Sequence, residues 1–409
     1  MEWLSYVYLT YMFISLYFLS FFFLLYLKNR KYMFKFSVST KNPSVSVIIP
    51  AYNAGKTIEN TVNAIFDSDY SNILEVIVVN DCSKDNTKEV VENLQKKYPK
   101  LKLINNSKNL GNAAKAQNVG LKIAQGEIIA ITDDDSYPAK EAIRKMIGFF
   151  ESEKVGAVTC PVLARNKDTF FEKLQAIEYN VIVIARKLLE YVDAIYVTPG
   201  PLGLYRKKAL AEIGGFDEKN MTQDIEASWH LAVKGWERKM CLDTNVTTTV
   251  PSRFKDWFRQ RQRWNIGGMQ TIWKHKKEIK SRNIVGLFIL PLFVLSSFLG
   301  LAGLSIFTYL IVNRVITEYL RIKFSFIADT AVVTLNQFYF TPSVLNYLGL
   351  VLFILGAIYT FGILFLMKED LLNKRNIFNI LFYMLIYLSV YPFVMVTAIW
   401  RLLKKDLKW

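Results

Sequence analysis

Histidine and cysteine are nearly missing from this 409-residue sequence, which has only His230, His275, Cys82, Cys160 and Cys241. Two histidines exclude a multi-histidine metal centre and disfavour a histidine-based catalytic triad. The cysteines are far apart and form no CxxC pair, so neither a zinc site nor a disulfide framework is expected. They read as reduced cytosolic thiols. Glycine fingerprints are also lacking: the first strand-to-helix turn, Ala51-Tyr52-Asn53-Ala54-Gly55-Lys56, matches neither the dinucleotide-binding nor the P-loop pattern, which argues against a dehydrogenase or a P-loop NTPase. Acidic residues are in the minority, 35 against 51 basic ones, for a formal net charge of +16. That excess suits anionic lipid headgroups or phosphorylated substrates. The basic residues crowd beside apolar segments and form no aromatic-interleaved stripe, so nucleic acid is not an expected partner.

Apolar residues are abundant, at 52% of the chain. From Trp3 to Leu27 there is no charged residue, enough to cross about 30 Å of hydrocarbon as one helix. The run is longer than the apolar region of a signal peptide and lacks a basic leader. Lys28, Arg30, Lys31 and Lys35 follow at once, which puts residue 28 onward in the cytosol and the preceding end outside. Further apolar runs at Ile284–Val312, Leu345–Met367 and Ile377–Trp400 predict membrane helices. The stretch from Phe324 to Met367 carries a single charge, Asp329, and is expected to add another span around the Thr341-Pro342-Ser343 turn. Four C-terminal spans return the basic Arg401, Lys404, Lys405 and Lys408 to the cytosol, whereas three leave them outside. The expected divisions are a membrane helix within residues 1–36, a cytosolic domain over 43–250, an amphipathic interface region over 251–282 and a membrane bundle over 283–409. The protein is therefore expected to be integral to a plasma membrane and in contact with its lipids.

Between Val45 and about Val250, short β-branched runs alternate with amphipathic helical stretches, the pattern of an α/β domain with a largely parallel sheet. Strands are predicted at Val45–Pro50, Glu75–Asn80 and Glu127–Thr132, with helices at Thr57–Phe66, Thr87–Lys97 and Ala113–Gln125. In such a domain, ligands gather at the carboxyl ends of the strands.

The sharpest local feature is Asp133-Asp134-Asp135, three carboxylates directly after an apolar strand. Three mutually repelling carboxylates call for a cation, and oxygen ligands of this kind suit Mg2+ or Mn2+ completed by a diphosphate. Another strand ends at Asn80-Asp81, where Asp81 can accept the imide N–H of a uracil ring walled by Tyr52 and the Pro50-Ala51 backbone, although Asn-Asp-x-Ser is also ordinary turn chemistry. Thr222-Gln223-Asp224 opens a further helix. Thr222 is placed to cap it, and Asp224 is placed to act as general base towards an acceptor hydroxyl. Gln260, Arg263 and Trp264 stand at i, i+3 and i+4, so they share one helix face. Arg263 can neutralise a leaving diphosphate and Trp264 can stack on a sugar ring, while Phe254, Trp257 and Phe258 are expected to face the membrane surface.

In this order the motifs resemble the membrane-integrated family-2 glycosyltransferases, which include hyaluronan, cellulose and poly-N-acetylglucosamine synthases. The resemblance covers residues 44–270 and implies a nucleotide-sugar-binding domain of the glycosyltransferase A type joined to a helical transmembrane bundle. It implies that Asp81 and Asp133 hold the nucleotide with Tyr52, that Asp135 and Asp133 hold the metal, and that Asp224 is the base. Gln260, Arg263 and Trp264 would bind diphosphate and acceptor, with Lys115 as a further diphosphate ligand. Cys82, Asn80 and Gln223 depart from the family's usual glycine, aspartate and glutamate. The implied reaction is inverting transfer from a UDP-sugar, UDP-GlcNAc or UDP-Glc, to a growing polysaccharide; transfer to a membrane lipid is the alternative.

Overall fold

A computed structural model describes residues 2–36, 38–328, 344–367 and 376–406. Helix α1 (Glu2–Asn29) leads into an α/β domain. Its first half contains β1 (Val45–Ala51), α2 (Ile58–Phe66), β2 (Ile73–Asn80), α3 (Thr87–Lys97), β3 (Leu101–Asn105), α4 (Ala113–Ile123) and β4 (Ile128–Ile131). There follow β5 (Ser136–Pro138), α5 (Ala142–Ile147), β6 (Val155–Thr159), β7 (Val162–Ala164), α6 (Phe170–Glu190), β8 (Gly203–Arg206) and α7 (Lys207–Glu212). The domain closes with α8 (Gln223–Val233), β9 (Glu237–Met240), β10 (Val246–Thr248) and α9 (Phe254–His275). Beyond it lie α10 (Leu290–Ile327), α11 (Val344–Leu366), α12 (Ile377–Phe382) and α13 (Tyr391–Leu403).

The main sheet has strand order β3-β2-β1-β4-β8-β6-β9. The first four strands are mutually parallel, β8 runs antiparallel to both neighbours, and β6 and β9 pair in parallel. All of β1 and β4 is buried because helices cover both faces, which is why these strands read as continuous apolar runs without alternation. The predicted strands and helices of this half agree with the observed elements to within two residues. A smaller sheet, β5-β10-β7, holds the backbone that follows Asp135. The connection from α1 is clasped to the domain: Glu151 accepts hydrogen bonds from Ser39 Oγ (2.8 Å) and from the backbone N–H groups of Thr40 (2.8 Å) and Lys41 (3.0 Å).

Among the described residues, four helices are long and apolar enough to cross a membrane: Leu4–Asn29, Val285–Ile327, Tyr347–Leu366 and Ile377–Leu403. The second does not stop at Val312 as its apolar composition suggested. It continues through charged residues because Glu318 pairs one turn away with Arg314 (2.8 Å) and with Arg321, so charge spaced at i, i+3 and i+4 sustains the helix. The expected extra span from Phe324 onward is not formed at its start, since Phe324–Ile327 end this helix; residues 329–343, with the Thr341–Ser343 turn, lie outside the described residues.

Candidate active site

The carboxyl ends of β1, β2 and β4 open into one cavity of about 740 Å3, within the usual range for a small-ligand site. Its lining brings together Tyr52, Asp81, Asp133, Asp134, Asp135, Asp224, Gln260, Arg263 and Trp264. Segments as far apart in sequence as Tyr52 and Trp264 therefore converge as the motif order implied. Lys115 is the exception: its ammonium donates to the Leu110 carbonyl (2.9 Å), and it does not line the cavity. Helix α4 instead presents Asn112 and Ala113 there, with the Asn112 side chain capping the N–H of Lys115 (3.0 Å).

Asp81 is buried at the end of β2, where its carboxylate accepts from the Leu110 N–H (3.0 Å) and Asn106 Nδ2 (2.9 Å). These bonds leave lone pairs for a ligand while fixing the loop that walls this end of the cavity. Asp133 is strongly perturbed. Burial, then Asp135, Asp134 and Asp224, push it up to about 8, and Arg263 opposes them. Burial and Asp135 raise Asp134 to about 7 against a hydrogen bond from the Tyr52 N–H (3.3 Å). Asp135 is also raised by burial, although Thr248 and Ser136 both donate to it.

Asp224 lies in the first turn of α8, buried beside Arg263. Burial raises it, and the guanidinium, together with the Ile225 N–H (3.0 Å), pulls it back. Thr222 occupies the N-cap position but forms no side-chain cap bond, because its hydroxyl turns towards Asn220 Oδ1 (3.4 Å). The second expected placement to be revised is Trp257, which does not face lipid. It is fully buried, with Phe171 edge-on at 5.7 Å and Tyr387 at 5.2 Å, while Phe254 remains exposed.

Several lining residues were not found from sequence. Tyr179, Ile182, Val183 and Arg186 come from α6, and Tyr196, Val197 and Gly200 from the loop before β8. The Pro199-Gly200-Pro201 turn was a detectable signal; Arg186 within an apolar helical run was another. Five carboxylates and two guanidinium groups, Arg186 and Arg263, thus line one cavity, and the negative excess fits a bound cation. Among the described residues no three His, Cys, Asp or Glu side chains form a ready ligand cluster. This suits an ion such as Mg2+, which takes one or two carboxylates and completes its shell with water and substrate phosphate.

Residues 46–214 match the model for Glycosyl transferase family 2. A poly-beta-1,6-N-acetyl-D-glucosamine synthase of Staphylococcus epidermidis is 27% identical over 89% of this chain and 82% of its own length. A probable glycosyltransferase of Bacillus subtilis, YdaM, is 26% identical over 90% of this chain and 86% of its own. Among solved structures, a mannosyltransferase from Pyrobaculum calidifontis in complex with GDP-Man and Mn2+ shares the fold over 98% of both chains, with a TM-score of 0.61 and 19% identity.

Proposed function

We propose, for a chain that carries a family-2 glycosyltransferase domain and acts as a hexosyltransferase, an inverting transfer from a UDP-sugar to a growing polysaccharide at the membrane. The single observation that supports it best is the meeting of Asp224, Asp133 and Arg263 in one buried cavity. At the nucleotide end, Asp81 accepts the uracil imide N–H and Tyr52 flanks the ring. Asp133 and Asp135 would hold a divalent cation, Mg2+ or Mn2+, which when bound neutralises diphosphate charge.

At the other end, Asp224 takes the proton of an acceptor hydroxyl as its oxygen bonds to the anomeric carbon and the bond to UDP breaks. Arg263 serves both halves of the reaction: it holds Asp224 towards its ionised form and lines the cavity in which the diphosphate departs. Trp264 and Gln260 border the same space and orient sugar and acceptor. UDP-GlcNAc is the first donor to test, because the Staphylococcus relative is named for a polymer of that sugar. The domain would face the cytosol of a plasma-membrane protein, where UDP-sugars are made, and the polymer would leave across the bilayer.

The test is product analysis from purified protein given labelled UDP-GlcNAc or UDP-Glc and Mn2+. Long polymer is expected, and a product of one sugar on lipid would overturn the polysaccharide reading. Asp224→Asn should reduce turnover by about 10²–10⁴-fold and leave UDP binding in place.

A further inference from the structure

The last apolar helical segment, Ile377–Leu403, is long enough to span a bilayer, yet its contacts place it elsewhere. At its start, the rings of Phe378 and Phe382 lie 5.9 and 5.0 Å from Phe170, the first residue of α6. In its middle, Tyr387 Oη donates to Glu178 Oε2 (2.7 Å) and Tyr391 contacts the other oxygen of the same carboxylate. At its end, Ala398 packs with Met221 and Ile266, and Arg401 donates to Gln262 (2.8 Å). Start, middle and end therefore all touch the catalytic domain. A helix of 27 residues is roughly 40 Å long. If it crossed about 30 Å of hydrocarbon, one end would stand a membrane's thickness away from that domain.

We infer that residues 377–403 lie in the membrane plane beneath the catalytic domain and serve as a positioning element of its active site. The segment is bent to this course: a π-turn over Tyr383–Tyr387 and a 3-10 turn over Leu388–Val390 separate α12 from α13, and Pro392 begins the latter. Its outer face, with Leu385, Phe393 and Trp400 exposed, fits the lipid surface, and Lys404 lies over the Trp400 ring at 4.0 Å where headgroups begin. The chain then spans the bilayer with α1, α10 and α11. With these spans among the described residues, Arg401, Lys404 and Lys405 remain on the catalytic side, which satisfies the positive-inside tendency directly.

The positioning role runs through a buried ion pair. Glu178, held by the two tyrosines, binds Arg261 through Nε (3.2 Å) and the second terminal nitrogen (2.5 Å). Arg261 in turn donates to Gln260 Oε1 (2.5 Å) and lies 4.0 Å from the Trp264 ring centre. Tyr387 and Tyr391 are therefore positioning residues: they touch no substrate site themselves but orient the residues that do. This role rests on the transferase reading, whereas the topology does not.

The experiment uses the full chain with Cys82→Gly, a replacement suited to the positive φ of 59° there. Single cysteines at Lys404, at Lys280 on the catalytic side and at Arg314 on the far side are treated with a membrane-impermeant maleimide in intact spheroplasts and inverted vesicles. Lys404→Cys should label with Lys280→Cys, in inverted vesicles only. Labelling together with Arg314→Cys would overturn the in-plane placement and leave sugar transfer untouched. In parallel, Tyr387→Phe/Tyr391→Phe should lower kcat about tenfold with UDP affinity within about twofold, and unchanged kcat would overturn the positioning role. If the parent chain transfers no sugar at all, the transferase reading fails while the labelling pattern still decides the topology.

Discussion

Gly200 sits directly against Asp133: a Cβ added to the glycine would lie 2.8 Å from Asp133 Oδ1 and 2.9 Å from Oδ2. The Pro199–Pro201 turn therefore forms a wall whose closeness depends on a missing side chain. Gly200→Ala should displace the Asp133 carboxylate and cut turnover by about a hundredfold, with the melting temperature little changed. Steady-state kinetics beside a thermal melt would check this, and wild-type turnover would show that Asp133 has room to give.

Divalent cations should stabilise the protein more at alkaline pH. Asp133 and Asp134 are raised to about 8 and 7, so between an unfolded carboxylate's pKa and these values the folded state binds more protons. Stability without a cation consequently falls as pH rises through that window. A cation competes with those protons, so the melting shift produced by Mn2+ should be larger at pH 8.5 than at pH 6. Equal shifts would argue against the triple carboxylate as the binding place.

Loss of Arg263 should move the pH profile. This guanidinium opposes the rise that burial imposes on Asp224, so without it Asp224 ionises at higher pH. Arg263→Gln is expected to move the acid limb of the kcat profile to higher pH. A limb that stays in place while kcat falls would mean that Asp224 is not the group being titrated.

Both histidines of the chain meet on one carboxylate, which ties the helix of Asp224 to that of Arg263. Glu226, on α8, is contacted by His230 and His275 (3.5 and 3.3 Å) and pairs with Lys274 at 2.6 Å. Glu226→Gln should cost about 2 kcal/mol. The contacts hold Glu226 well below the usual carboxylate range, so its contribution is complete above an unfolded glutamate's pKa and drains as pH falls. The difference between wild type and variant, followed by denaturant unfolding, should therefore narrow below about pH 4.

The half of the domain that carries β1, β2 and β4 was legible because buried parallel strands have no solvent face: these strands appear as unbroken apolar runs that end in the residues of interest. The shared face of Gln260, Arg263 and Trp264 followed from helical spacing alone. What covers a face does not follow from spacing, and Trp257 was assigned to lipid although Phe171 and Tyr387 bury it. Lys115 lies outside the cavity lining for a related reason: its short distance along the chain from Leu110 permits its ammonium to donate to that carbonyl. Arg186 and Tyr179 reach the cavity through the packing of α6, which pairwise sequence signals do not encode.

The clasp of Glu151 on Ser39, Thr40 and Lys41 has a mechanical consequence. A slack connection would let the catalytic domain swing beneath its first membrane helix and average over orientations. With that connection pinned to the domain body, changes in bilayer thickness or curvature act on the domain as a load, so turnover in vesicles should vary with lipid chain length.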